Sequence, residues 1–183
     1  MNYVKIKKHD IANGPGVRVS LYVSGCTHHC KNCFNPETWD FAAGQLFDEA
    51  AEQEIIEALK PPYIRGLSLL GGEPFEPENR PALIAFAEKV RKIYPEKSIW
   101  CYTGYDYEKD ILTGHIGSPE SSDRLLSLID VLVDGEFKEE QKVIDLRFRG
   151  SLNQRIIDAK KSLQSDETVL WSDGNEENDE KNI

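Results

Sequence analysis

No stretch of this sequence approaches the ~18–20 consecutive apolar residues that a membrane span requires. Nor does an apolar segment with a cleavage site stand at its start. Those absences predict a soluble, cytoplasmic protein with no membrane partner. Basic residues are in short supply too: 22 Lys and Arg face 32 Asp and Glu, a formal net charge of −10. The clustered cations that make phosphate contacts are therefore missing, and no nucleic-acid partner is expected. The chain is too short for a complete eight-unit α/β barrel of about 250 residues, whereas 183 residues suit one domain with a substantial core. Cysteine is scarce, four in all, and the crowding of three of them argues against a secreted disulfide framework.

Those three stand in one stretch, Cys26-Thr27-His28-His29-Cys30-Lys31-Asn32-Cys33-Phe34. Three thiolates can hold three corners of an iron–sulfur cube and leave the fourth iron open to a small molecule, while a closed structural site asks for four ligands. The blander alternatives are a zinc site completed by His28, His29 or the distant Cys101, and buried inert thiols. Cys101, between Trp100 and Tyr102 in an apolar run, reads as core. His28 and His29 read as solvated spacers, and Trp39 and Trp100 as aromatic packing.

Around that loop the chain repeats one pattern. Met1 to Ile11 reads as an edge strand or ordered arm, and Asn13-Gly14-Pro15-Gly16 as a turn. From Val17 to Ser24 apolar and polar residues alternate with the period of a strand, so the cysteines follow a strand's carboxyl end. Asp48 is placed to cap a helix over Glu49 to Leu59, which Pro61-Pro62 stops. A short apolar strand, Gly66 to Leu70, runs into Gly71-Gly72-Glu73-Pro74, and a helix from about Asn79 to Tyr94 follows. Then come a strand over Lys97 to Thr103, a helix near Ser122 to Leu128, and a strand over Val131 to Gly135. Strand, glycine-bearing loop and helix recur about four times, which predicts an α/β fold with a mostly parallel, curved sheet that is an incomplete TIM-like barrel.

Cys-x3-Cys-x2-Cys after a first strand and Gly-Gly-Glu-Pro after a later one resemble the radical S-adenosylmethionine (radical SAM) enzymes. Asn13-Gly14-Pro15-Gly16-Val17-Arg18 resembles the entry signature of activases for glycyl-radical proteins. Further segments narrow the likeness to the activating component of the anaerobic (class III) ribonucleoside-triphosphate reductase. They are Val23-Ser24-Gly25-Cys26, Thr38-Trp39, Trp100 through Thr103-Gly104-Tyr105, Val131 to Phe137 and Arg149-Gly150-Ser151-Leu152-Asn153-Gln154, and the likeness runs from about Asn2 to Arg155.

The resemblance implies a radical SAM barrel in which Cys26, Cys30 and Cys33 ligate a [4Fe–4S] cluster, with SAM on the fourth iron. An electron from reduced flavodoxin or ferredoxin would cleave SAM, and the 5′-deoxyadenosyl radical would take a hydrogen atom from a glycine of the reductase. Gly71, Gly72, Glu73 and Pro74 would approach the methionine part of SAM, Glu73 either adding negative charge near its amino group or fixing the loop. Thr103 and Asp134 would either add polar contacts to SAM or serve as ordinary strand-end caps, and Asn32 and Phe34 would stand near the adenine. Asn32 takes the place of an aromatic residue, Glu136 that of a Lys that meets the SAM carboxylate, and Tyr102 that of a cation-binding Asp. Arg18 or a residue of the partner protein would have to neutralise the SAM carboxylate in place of the Lys. The rival readings are an activase of another glycyl-radical enzyme, such as pyruvate formate-lyase, and a non-catalytic zinc-binding module.

Residues 1–164 are expected to form the activase domain and residues 165–183 an acidic, disordered tail. Seven acids from Asp166 to Glu180 stand there against Lys181 alone. Val169-Leu170-Trp171, its one apolar patch, is expected to fray with it.

Overall fold

The computed structural model describes residues 1–165 and 167–173. Among the described residues, seven strands form one open sheet: β1 (Asn2–Asp10), β2 (Val17–Val23), β3 (Gln45–Leu46), β4 (Ile64–Gly71), β5 (Ser98–Tyr102), β6 (Val131–Asp134) and β7 (Arg155–Asp158). Their order is β3-β1-β2-β4-β5-β6-β7. The four central strands β2, β4, β5 and β6 are parallel, and β1, β3 and β7 pair antiparallel at the two sides. The expected parallel repeat is thus the centre of a mixed sheet. Strand β7 was not expected, because Arg155–Asp158 is too short to show a period of its own.

Helices α1 (Glu49–Leu59), α2 (Arg80–Ile93) and α3 (Pro119–Leu128) link the parallel strands, and α4 (Ala159–Ser165) follows β7. Asp48 caps α1 as expected, its side chain accepting a hydrogen bond from the Ala51 amide at 3.0 Å. Helix α1 buries Ala51, Ile55, Ile56 and Leu59, and α2 buries Leu83, Phe86, Ala87 and Val90. They meet Val19, Leu21 and Val23 of β2, Leu67 and Leu69 of β4, and Ile99 and Cys101 of β5 in one apolar core. Because strand side chains alternate, the other face of the same strands carries Arg18, Ser20, Tyr22, Ser68, Trp100 and Tyr102.

That second face, among the described residues, has no helix contributing to its apolar cluster around Trp100, Val131 and Val133. Its lower part is covered by Phe148 and Trp171, whose rings lie 5.5 and 5.0 Å from that of Trp100. Residues 169–171 run along β7: the Asp158 amide donates to the Val169 carbonyl, and the Trp171 amide to the Ile156 carbonyl, each at 2.9 Å. The apolar patch expected to fray is therefore docked, since it can bury its indole and complete an open edge at once. Of the expected acidic tail, Asp166 and residues 174–183 lie outside the described residues.

Arg18 is fully buried near the start of β2, far along the sheet from the cysteine loop. Its guanidinium donates to Ser68 Oγ (2.7 Å), Ser98 Oγ (2.9 Å) and the Leu67 and Ser98 carbonyls. It binds three strands together and has no reach left for a ligand's carboxylate.

Candidate functional site

The cysteine loop leaves β2 through Ser24 and Gly25, and its backbone is fastened to the segment after it. The Gly25 amide donates to the Thr38 carbonyl (2.7 Å) and the Cys26 amide to the Trp39 carbonyl (3.1 Å). His29 and Asn32 take φ of 50° and 57°, the left-handed region that asparagine tolerates better than an aromatic residue. The winding of the loop between Cys30 and Cys33 thus gives Asn32 a backbone reason to be there.

The loop after β4 is bonded directly to the cysteine loop. Val23 and Gly71 are register partners, and the ladder continues as the Gly72 amide donates to the Val23 carbonyl and the Glu73 amide to the Gly25 carbonyl, both at 2.8 Å. The approach is so close that a Cβ on Gly72 would stand 2.5 Å from the Gly25 oxygen. Two buried carboxylates complete the fastening. Glu76 accepts from the Thr27 amide (2.8 Å) and hydroxyl (2.6 Å). Glu73 accepts from the Phe75 amide (2.8 Å), the Thr103 hydroxyl (2.8 Å) and the Gly104 amide (2.7 Å). His28 Nε2 lies 3.2 Å from Glu73 Oε2, in ion-pair range without hydrogen-bond alignment. Asn79 donates to the Ser24 and Glu73 carbonyls, each at 2.9 Å.

These loops bound a cavity of about 400 Å³ at the carboxyl ends of the parallel strands, where open α/β sheets hold their ligands and within the size range of small-molecule sites. Cys26, Cys30 and Cys33 all line it. Tyr22, Leu70 and Tyr102, neighbours across three parallel strands, line it from the sheet. Burial, aided by the charge of Glu73 for Cys26 and of Glu136 for Cys30, pushes these two thiols up to about 12 and about 11. They carry protons at neutral pH until a cation takes their place. Among the described residues, Asp106, Glu108 and Asp134 are the three whose ligand atoms come within 4.8 Å of one another. Cys26, Cys30 and Cys33 do not form such a set, whereas the sulfurs around one tetrahedral zinc with 2.3 Å bonds stand only ~3.8 Å apart. The donor set suits a larger group, such as an iron–sulfur cube.

Of the residues singled out from the sequence, Phe34, Gly71, Gly72, Glu73 and Thr103 join the three cysteines in the cavity wall, and Asn32, Pro74 and Asp134 do not. Asp134 is buried against Arg155, which donates to its Oδ1 at 3.1 Å, and it accepts from the Tyr107 amide at 3.0 Å. The Thr103 hydroxyl donates to Glu73 and accepts from the Tyr105 amide at 3.1 Å. Cys101 is 0% exposed, packed on the helix side of the sheet.

Two features were missed. His28, read as a spacer, puts its ring in the cavity wall, 4.4 Å from the Tyr105 ring. The segment from Gly135 to Gln154 closes one side with Phe137, Leu146, Phe148, Arg149 and Gly150. Its two ends lie in the segments Val131 to Phe137 and Arg149 to Gln154 that carry the family likeness, but neither segment assigns a role to Phe137, Leu146, Phe148 or Arg149. Phe148 has φ of 59°, a costly conformation for a bulky residue held by its contacts with Trp100 and Trp171.

A family model described as a 4Fe-4S single cluster domain matches residues 12–157. The anaerobic ribonucleoside-triphosphate reductase-activating protein of Haemophilus influenzae is 43% identical over 158 residues, 85% of this chain and 97% of that one. The protein of the same name from Escherichia coli K12 is 40% identical, with 85% and 97% covered. That of Enterobacteria phage T4 is 40% identical over 156 residues, with 85% and 93% covered. With a cavity walled by three thiols from one short stretch of sequence, a match to a single-cluster iron–sulfur domain and these relatives, the chain belongs to the family of anaerobic ribonucleoside-triphosphate reductase-activating proteins.

Proposed function

We propose that this protein activates an anaerobic ribonucleoside-triphosphate reductase as a radical SAM enzyme, with Cys26, Cys30 and Cys33 holding three irons of a [4Fe–4S] cluster and SAM on the fourth. The observation that carries this reading is the separation of the cysteines: three line the cavity, while Cys101 is buried in the core on the other face. A site with three thiols and a neighbouring ligand-sized space suits a cube with one open corner better than a closed metal centre. On this reading the open sheet is the incomplete barrel of the radical SAM type, and residues 1–164 are its domain. The chain works in the cytoplasm with reduced flavodoxin or ferredoxin as electron donor.

When bound, the reduced cluster and SAM supply one-electron cleavage of a carbon–sulfur bond, and with it the means to take a hydrogen atom from a glycine of the reductase. The protein's own part is orientation and exclusion. Glu73, Glu76 and Asn79 hold the cysteine loop against the ends of β4 and β5. Gly71 and Gly72 bring main chain to the cavity wall, where a side chain would intrude, and offer backbone to the methionine part of SAM. Phe34 and Phe137, with rings 4.9 Å apart, and Phe148 present apolar surface that keeps water from the reacting groups.

The test is anaerobic reconstitution with iron and sulfide, followed by reductant and SAM. 5′-Deoxyadenosine should form, and a glycyl radical should appear by electron paramagnetic resonance when the reductase is added. Cys26→Ala, Cys30→Ala and Cys33→Ala should each abolish SAM cleavage, and Cys101→Ala should keep its iron. Colourless protein with stoichiometric zinc and no iron would overturn the reading.

A further inference from the structure

Among the cavity-lining residues, Arg149 alone brings a positive charge that does not depend on pH. The cavity's carboxylate, Glu73, is already occupied by protein donors, and the nearby His28 ring faces that same carboxylate. Arg149 is incompletely used: Nη1 donates to the Gln154 carbonyl at 3.0 Å, whereas Nε is buried with no hydrogen-bond partner among the described residues. A buried donor left without a partner is destabilising, and an incoming acceptor removes that penalty.

The segment that carries Arg149 is also held in place beforehand. Gln154 Oε1 accepts from the Gly150 amide (2.8 Å) and the Ser151 amide (3.1 Å), and its Nε2 donates to the Gly135 carbonyl (3.0 Å). The turn is thus tied to the end of β6. On its other side Gly150 lies against the residue after Cys33: a Cβ there would stand 2.7 Å from the Phe34 ring. The guanidinium is therefore on a fixed turn beside the cysteine loop, so little ordering cost remains on binding.

We propose that Arg149 is the cation that pairs with the carboxylate of SAM, an assignment that rests on the reading above. A carboxylate entering a partly buried cavity loses hydration and needs a paired cation or several donors. The planar guanidinium offers both, with charge-assisted bonds of fixed geometry.

The experiment measures equilibrium binding, without turnover, to cluster-loaded protein. Wild type, Arg149→Gln and Arg149→Lys are each titrated with SAM and with its decarboxylated analogue, and iron content and thermal midpoint are recorded for every variant. Arg149→Gln should weaken SAM binding by at least about tenfold and leave the decarboxylated analogue within about twofold, with Arg149→Lys in between for SAM. Equal weakening of both ligands would mean that Arg149 acts through the fold, and no change in either would mean that it contacts neither; both overturn the proposal. Where Arg149→Gln does not hold its cluster, the Arg149→Lys comparison decides by the same ratio. If wild-type holoprotein fails to bind SAM at all, the proposed function falls, and this inference with it.

Discussion

The carboxylate of Glu73 and the hydroxyl of Thr103 meet at 2.8 Å, joining the loop after β4 to the end of β5. From the sequence, Glu73 stands either at the amino group of SAM or as a fixture of its loop, and Thr103 either on SAM or as a strand-end cap; in the structure the two bond each other. A buried carboxylate must be met by several donors. Here the Phe75 and Gly104 amides supply the rest. The geometry makes Glu73 a bracket between strand ends.

Glu73→Gln tests that role directly. The amide keeps the size but loses the charge and points an NH2 group towards one of the present donors. Stability should fall by about 1–3 kcal/mol in denaturant unfolding, while protein that remains folded binds SAM with little change. Large loss of SAM affinity at unchanged stability would instead place Glu73 on the ligand.

Gly72→Val should damage the cysteine loop as well as the cavity. The added Cβ would stand 2.5 Å from the Gly25 oxygen and 3.0 Å from the Val23 oxygen, and backbone atoms cannot swing aside as a flexible side chain can. Iron content after reconstitution should drop together with SAM affinity. Normal iron with SAM affinity alone lost would show that the loop tolerates the contact.

Removal of everything after Ser165 should loosen the cavity. Trp171 would no longer cover Trp100 and Phe148, and Arg147 would lose Asp173, 2.7 Å away. Phe148 then has less to hold its left-handed backbone. The truncated protein should melt at lower temperature and bind SAM more weakly. Identical melting and affinity would make the docked segment dispensable.

Asp10 links stability to acid. Burial alone would raise its carboxyl, but bonds from Lys7, Ser20, the Ala12 amide and Asn13 outweigh that and hold it down at about 2, against an ordinary 3.8. Because the folded value is depressed, the stabilisation is complete above about pH 4 and is lost as pH falls through 4 towards 2. It amounts to about 2 kcal/mol at neutral pH. Asp10→Asn should lower stability at pH 7 by that order and flatten the dependence between pH 4 and 2. An unchanged acid profile would count against Asp10 as its source.

The sequence by itself determined the cysteine spacing, the period-two strand β2, the apolar face of α1 with its Asp48 cap, and the placing of both glycine-bearing loops at strand ends. These are local properties: side-chain period and turn chemistry act over a few residues. Only the tertiary structure decided what the polar groups do. Arg18 is spent on Ser68 and Ser98, 50 and 80 positions away, Glu76 on Thr27, 49 positions away, and Asp134 on Arg155. A buried polar side chain takes whichever partner the strand register sets beside it, and register is fixed by packing across the whole sheet. The same reason hid Val169-Leu170-Trp171: a patch that looks frayed along the chain is docked once β7 presents an unpaired edge and Trp100 an uncovered ring.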